Sequence, residues 1–320
     1  MTVAALAAGA ACSSFSEEGA APGDTEAGAG EAASGADAAD ASTTECQTTP
    51  PAAEVFVSAA GAVSRLTQDA SYLYWIAGAN DIKRKSLTSG NVEDVYTSPI
   101  GVTTLAVVGT SVVFHTGSGT VYRVDAQADG GGLTYLGSSS PPLAANDTKI
   151  ATYTTVDSVV VATPPGSLQP FVTQPGLVAL AASSSGFFSL APPADGGAGH
   201  AAYQLSIGTA AQVFYAADMN PTQLAVDGTE LFMIDVDQGM VFKAGIAPGA
   251  PTTLAKGAPS PNGIVVKAKQ VYYATANGIR RVDAKGGCVS TISTSSTTSF
   301  TVTDDRVYFV SGSAITSVPR

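Results

Sequence analysis

Short apolar bursts rich in Val, Ile, Tyr and Phe recur along most of this chain, separated by Gly, Asn, Asp and Ser. One copy shows the unit best. Val271, Tyr272 and Tyr273 read as a strand, Asn277-Gly278 as a tight turn and residues 279–282 as a second strand. Gly286-Gly287 then leads into a third strand around residues 289–292. A bulky residue ends one burst in every copy, which sets anchors at Trp75, Phe114, Tyr153, Phe188, Met233, Tyr273 and Phe309. From Trp75 to Phe309 is 234 residues in six steps, a mean period of 39. Before most anchors stands a turn marker: Asp69, Gly109, Asp147, Asp227-Gly228 or Asp304-Asp305. An earlier burst, such as residues 105–108 or 224–226, precedes each marker. Two further bursts follow the anchor, as in residues 82–84 and 92–96. No window carries apolar residues at i, i+3 and i+4, so the β-branched and aromatic bursts predict strands throughout.

Four short strands in each ~40 residues make the repeat of a β-propeller blade. The pattern predicts an all-β fold of seven four-stranded blades. The last blade is one strand short, because only residues 314–318 remain for it after Phe309. A spare strand exists at the other end, in Glu54-Val55-Phe56-Val57-Ser58, before the first blade begins at Val63. Placing that strand in the last blade closes the ring and covers its sheet edges. Blades 3 and 4 match the repeat most weakly, which leaves six and eight as alternative counts.

Charge changes the picture only after it is divided. The formal net charge is −11. Residues 13–50 hold eight acids and no Lys or Arg, so the remainder carries only −3 (15 basic, 18 acidic). A nearly neutral folded part argues against nucleic acid or an anionic membrane surface as partner. Residues 13–53 are Ala, Gly, Ser, Thr and acid with one aromatic, Phe15, a composition expected to stay a disordered tether. Residues 54–320 are the predicted propeller domain, expected to be a monomer.

Before the tether, residues 2–11 are small and apolar, and Gly9-Ala10-Ala11-Cys12 resembles the lipobox of bacterial lipoproteins. No basic residue precedes the apolar run, and Gly9 stands where a large aliphatic residue is usual. The resemblance implies a signal segment over residues 1–12, lipidation of Cys12, and an envelope protein of the outer membrane or periplasm, or a secreted one. It also leaves Cys46 and Cys288 as a possible disulfide pair. Two free thiols are the alternative, because sequence does not supply the Cα distance.

The repeat itself resembles bacterial secreted propellers related to the low-density-lipoprotein-receptor and NHL types. The resemblance covers residues 63–320. Leu73-Tyr74-Trp75 with Ile82-Lys83-Arg84, Val271-Tyr272-Tyr273 with residues 279–287, and Val307-Tyr308-Phe309 carry it best. Those motifs specify blades, so the likeness implies a fold and transfers no functional residue.

Candidate chemistry is sparse. His115 and His200 lack a His or Glu partner at metal-ligand spacing, and there is no Cys-x-x-Cys or G-x-S-x-G. His115 reads as an exposed turn residue. Asp235-Val236-Asp237-Gln238-Gly239, with Asp218 and Asn220 upstream, offers hard oxygen ligands suited to calcium, or an ordinary turn. In propellers, the turns after the anchor strand and the connections between blades open on one face around the channel. That face is expected to carry Asn80, Asp81, His115, Asp157, Asp235, Asp237 and Asn277, with Trp75 nearby, and a Gly/Pro-rich insertion at residues 191–202. Two functions follow. The first is a non-catalytic binding or scaffolding module for a protein or carbohydrate, equivalent in sequence terms to a sensor domain. The second is a lyase or hydrolase at the channel mouth, which requires His115, His200, Asp235 and Asp237 to converge.

Overall fold

The computed structural model describes residues 45–46, 49–58, 61–126, 132–155, 157–247, 249–297 and 299–320. Cys12 and nearly all of the tether lie outside the described residues. Among those described there are 28 strands and no helix, arranged as seven antiparallel four-stranded sheets. The fold is a seven-bladed β-propeller. Blades 1 to 6 occupy residues 63–97, 102–138, 140–173, 179–214, 221–255 and 263–293; blade 7 combines residues 300–319 with 54–57. The first strand of each blade neighbours the first strand of the next, and that of blade 7 meets that of blade 1. These first strands therefore line the central channel.

Burial explains why the anchors stand out in sequence. The second strand of blade 1, Tyr72–Ala77, is buried from Leu73 onward on both faces. Successive side chains point to opposite faces. Leu73 and Trp75 pack toward blade 7 against Val57, Tyr308 and Ile315, while Tyr74 and Ile76 pack toward blade 2 against Val102, Leu105 and Phe114. A strand sandwiched between two neighbours has no solvent side, so its sequence runs apolar without alternation. The fourth strand of the same blade, Val92–Thr97, is mostly exposed and mixes Glu and Asp with its valines. Blade 3 matches the repeat weakly because its anchor, Tyr153, is only half-buried, and its hydroxyl donates to Asp157 at 2.5 Å. The turn at Asn277-Gly278 is fixed by Gly278, whose φ is +118° and whose added Cβ would lie 1.9 Å from the Ser293 carbonyl oxygen.

Ring closure follows the strand count. Glu54–Val57 pairs antiparallel with Ala314–Pro319, in the register Glu54 with Ser317, Val55 with Thr316 and Val57 with Ile315. Arg306 holds Glu54 at 2.6 Å, and the Lys85 ammonium of blade 1 donates to the Phe56 carbonyl at 2.7 Å. A second fastening lies eight residues upstream. Cys46 and Cys288 form a disulfide with Cα atoms 5.3 Å apart, beside a main-chain bond from Cys46 N–H to the Val289 carbonyl at 2.9 Å. The segment before the propeller thus runs from the outer edge of blade 6 to the outer edge of blade 7.

Candidate functional site

The turns between second and third strands share one face with the connections between blades. Main-chain bonds from Ser98 to Asn80, Gly117 to Gly101, Gln174 to Asp157 and Ala276 to Pro259 join the two sets. Asn80 and Asp81 of blade 1, Asp157 of blade 3, Asp237 of blade 5 and Asn277 of blade 6 sit on this face. Local turns occupy them: Asp81 accepts from the Thr97 hydroxyl at 2.8 Å, Asp157 from the Tyr153 hydroxyl at 2.5 Å, and the main-chain N–H of Asn277 donates to the Thr275 hydroxyl at 3.2 Å. The insertion after Ala191 is tied down by Tyr203 and Tyr215, whose hydroxyls donate to the Pro192 and Ala198 carbonyls.

Three residues expected at the mouth are instead fully buried. Trp75 is sealed between blades 7 and 1, because an anchor strand has no solvent side. Asp235 is also buried; one carboxylate oxygen accepts from Asn220 N–H at 2.8 Å and the other from Gln238 N–H at 3.0 Å. It staples a turn to the preceding blade connection. Asp237 accepts from the Asn220 amide at 3.2 Å. Among the described residues no three of His, Cys, Asp and Glu gather closely enough to hold a metal ion.

His115 is the third, and its reading as an exposed turn residue is corrected. It ends no strand but sits inside Ser111–Thr116, with no solvent exposure, facing blade 3. Its Nε2 lies 2.8 Å from the Thr152 hydroxyl and 3.4 Å from that of Ser139. The Thr152 hydroxyl donates to the Ser140 carbonyl at 2.9 Å, so it accepts from the ring, and the neutral imidazole carries its proton on Nε2. Nδ1 is buried without a partner. Burial pushes the His115 pKa down to about 4. Between that value and the ordinary 6.5 the unfolded chain binds more protons than the folded one, so stability is complete above about pH 6.5 and falls as pH drops toward 4. The expected loss is ~3 kcal/mol at one pKa unit per 1.36 kcal/mol. Urea unfolding at pH 7 and pH 4.5 should show that drop in the wild type and a clearly smaller one in His115→Leu; equal drops would refute it. His200, in the insertion, has Nδ1 3.0 Å from the Pro221 carbonyl oxygen. His200 thus meets Pro221, the register partner of Asp235, while His115 lies between blades 2 and 3, so the two histidines, Asp235 and Asp237 do not gather at one point.

The larger concavities lie at the opposite mouth, among the turns between first and second strands. A cavity of about 610 Å³ spans the first-strand ends of blades 1 to 3 and is lined by Gln68, Asp69, Val107, Leu143, Asn146 and Asp147. A second, of about 450 Å³, reaches Lys267, Asp304 and Arg306 in blades 6 and 7 and shares Gln68, Asp69 and Ala70 with the first. The turn at residues 68–70 therefore stands on the border of both. Their rim is stiff. Asp69 accepts from the N–H groups of Ser71 and Tyr72, both at 2.7 Å, and from the Tyr74 hydroxyl at 2.8 Å. Burial, with Asp69 adding to it, drives the Tyr74 pKa upward, so the phenol remains a donor. Asn146 and Thr303 close their own turns in the same manner, and Lys267 pairs with Asp304 at 3.1 Å. Gln68 bridges to blade 7 through its amide, 2.6 Å from the Val302 carbonyl, while its side-chain oxygen is buried and unpaired. In sequence, Asp69, Asp147 and Asp304 stand out only as turn markers; their recurrence just before each anchor is the one signal that points to this rim.

No family model matches the chain, and no curated protein matches it in sequence. Its likeness is to solved structures. Virginiamycin B lyase from Staphylococcus aureus aligns with a TM-score of 0.66 at 13% identity over 84% of this chain and 99% of the enzyme. A catalytically inactive His-to-Ala variant of that lyase, solved with quinupristin, aligns equally well. YCF48 bound to D1 peptide aligns with a TM-score of 0.64 at 11% identity, over 87% of this chain and 98% of that one. BamB from Moraxella catarrhalis gives 0.55 at 13%, over 81% and 84%. At such identities the likeness carries the seven-bladed fold and no activity.

Proposed function

We propose that this protein is an exported, non-catalytic binding module, anchored at Cys12, that holds a segment of a protein partner at the mouth between blades 6, 7, 1, 2 and 3. The observation that carries the reading is the pair of concavities there, of about 610 and 450 Å³, which flank the same turn and are mixed in lining. A rim already fixed by its own turns loses little freedom on binding, which favours recognition without rearrangement. Val107 and Leu143 offer apolar contact beside the polar Asn146 and Asp147. YCF48, of similar fold, is solved with a peptide bound. Export is supported by the Cys46–Cys288 disulfide, since such bonds persist in oxidising compartments. The lyase or hydrolase alternative has the fold likeness in its favour, but His115 and His200 face hydroxyls and a carbonyl rather than an acid.

Panning fragments of the host proteome on the purified domain tests the site. Ala70 is exposed and borders both cavities, so Ala70→Arg intrudes on them without disturbing the core. Most selected fragments should lose at least tenfold in affinity to Ala70→Arg and remain unaffected by Asp237→Lys on the other face. The reverse pattern would move the site to that other face and end this assignment.

A further inference from the structure

A smaller pocket of about 200 Å³ lies apart from both mouths, between blades 5 and 6. Its wall includes Lys256 and Gly257 from the connection leaving blade 5, Tyr273 and Arg280 from blade 6, and Glu45 from the segment that carries Cys46. Tyr273 is 2% exposed, yet its hydroxyl bonds to no described residue and is not sealed in the core. A donor so deeply placed and unpartnered faces the pocket. Arg280 approaches from the adjacent register position and reaches the Thr291 hydroxyl, which fixes its stem. The same guanidinium stands 3.5 Å from the Glu45 carboxylate. Thr275, also on the wall, is already committed, donating to the Gly278 carbonyl at 3.0 Å.

We propose that this pocket is a carboxylate-binding site, sized for an acidic side chain, and that Glu45 is its built-in and replaceable occupant. The Arg280 guanidinium and the Tyr273 phenolic donor converge on the space, and a planar carboxylate matches an Arg fork better than any neutral group. Glu45 fills the role poorly. Its side chain is 72% exposed, its contact with Arg280 is long, and it does not reach the Tyr273 hydroxyl. An exposed pair of that kind contributes little. An incoming carboxylate that engages both Arg280 and Tyr273 therefore displaces it at small cost. The Tyr273 pKa is pushed up to about 12, first by burial, so the group stays a donor across the physiological range. Cys46, joined to Cys288 and bonded to Val289, keeps Glu45 beside the pocket whether or not its carboxylate is engaged.

The test titrates the intact, oxidised protein with N-acetylglutamate α-amide, using inorganic phosphate as the competing arm, and follows binding by calorimetry. Glu45→Gln removes the occupant while leaving the disulfide. It should bind the probe about two- to fivefold more tightly than the wild type, the gain that corresponds to losing a weak exposed pair. Adding Arg280→Met should abolish the gain, and adding Tyr273→Phe, which deletes only the hydroxyl, should reduce it severalfold. Thermal unfolding of each variant verifies folding, and the Phe variant keeps the test decisive if the Met variant unfolds. Equal affinity in the wild type and Glu45→Gln, or full binding by Glu45→Gln with Tyr273→Phe, would overturn the proposal. Phosphate binding as tightly as the probe would overturn its carboxylate specificity.

Discussion

Val57→Asp is expected to open the ring. Val57 is 5% exposed and packs against Leu73, Trp75 and Ala77 of blade 1 as well as Tyr308 and Ile315 of blade 7. With Phe56, whose ring meets Tyr308 and the Lys85 ammonium, it joins the N-terminal strand to both sides of the closing seam. Losing a buried Val forfeits about 1.5–3 kcal/mol. A carboxylate with no cation in that cluster adds several kcal/mol of desolvation, or leaves the cluster for water. Leaving means that residues 54–57 detach from Ala314–Pro319, which breaks the Arg306–Glu54 contact and exposes a strand edge. Against a total stability of ~5–15 kcal/mol, the expected cost of about 4 kcal/mol or more is large. Thermal unfolding should show a drop of ~10 °C or more, with aggregation on heating and early proteolysis before Val63. A variant melting within about 2 °C of the wild type would mean that this strand does not close the ring.

The closing strand is legible in the sequence because a blade has a fixed number of strands. A deficit at one end of the chain and a surplus at the other leave few ways to satisfy the edges. The anchor strands are legible for a different reason: burial on both faces writes an uninterrupted apolar run, as in Leu73-Tyr74-Trp75-Ile76. Blades 3 and 4 are harder to read because buried alanines stand among their larger core residues and interrupt the apolar bursts. Ala151, Ala181, Ala201 and Ala202 are buried, but alanine gives no strand signal of its own.

The site is far less legible. Polar residues after the anchors share one face of the ring, yet nothing in sequence says where the concavities between blades open. That depends on how the first strands tilt, and hence on packing between blades. Asp235 and His115 illustrate the same limit for single residues. Each follows an apolar run and looks like the start of a loop, but Asp235 turns inward to staple two segments, and His115 is drawn between blades by hydroxyls from Thr152 and Ser139 that lie 37 and 24 residues away. The hydroxyl partners of a buried imidazole cannot be found by spacing. Gln68 is invisible for the converse reason: its significance lies in an oxygen that no neighbour satisfies.

Breaking the disulfide should be nearly as costly as opening the strand, by another route. Cys46 and Cys288 are 242 residues apart in sequence, so the bond constrains about three quarters of the unfolded chain. Loop-closure entropy for a ring of that length corresponds to about 5 kcal/mol at 25 °C, a model-dependent figure because residual structure in the unfolded state reduces it. In the folded protein the loss is local: the Cys46–Val289 bond and the Glu45 contact loosen while residues 54–57 stay paired. Cys288→Ser should therefore unfold at a temperature ~10 °C lower, with an unchanged β-sheet spectrum and intact binding at the channel mouth. A shift below about 3 °C would show that the bond does not constrain the unfolded state as supposed. Thiol labelling of protein from its native host decides the compartment in the same preparation. None of the three cysteines should label before reduction, and only Cys46 and Cys288 after it, because a lipidated Cys12 stays blocked. Labelling of Cys46 and Cys288 without reduction would place the chain in a reducing compartment and remove the case for export, whereas labelling of Cys12 alone would remove only the anchor.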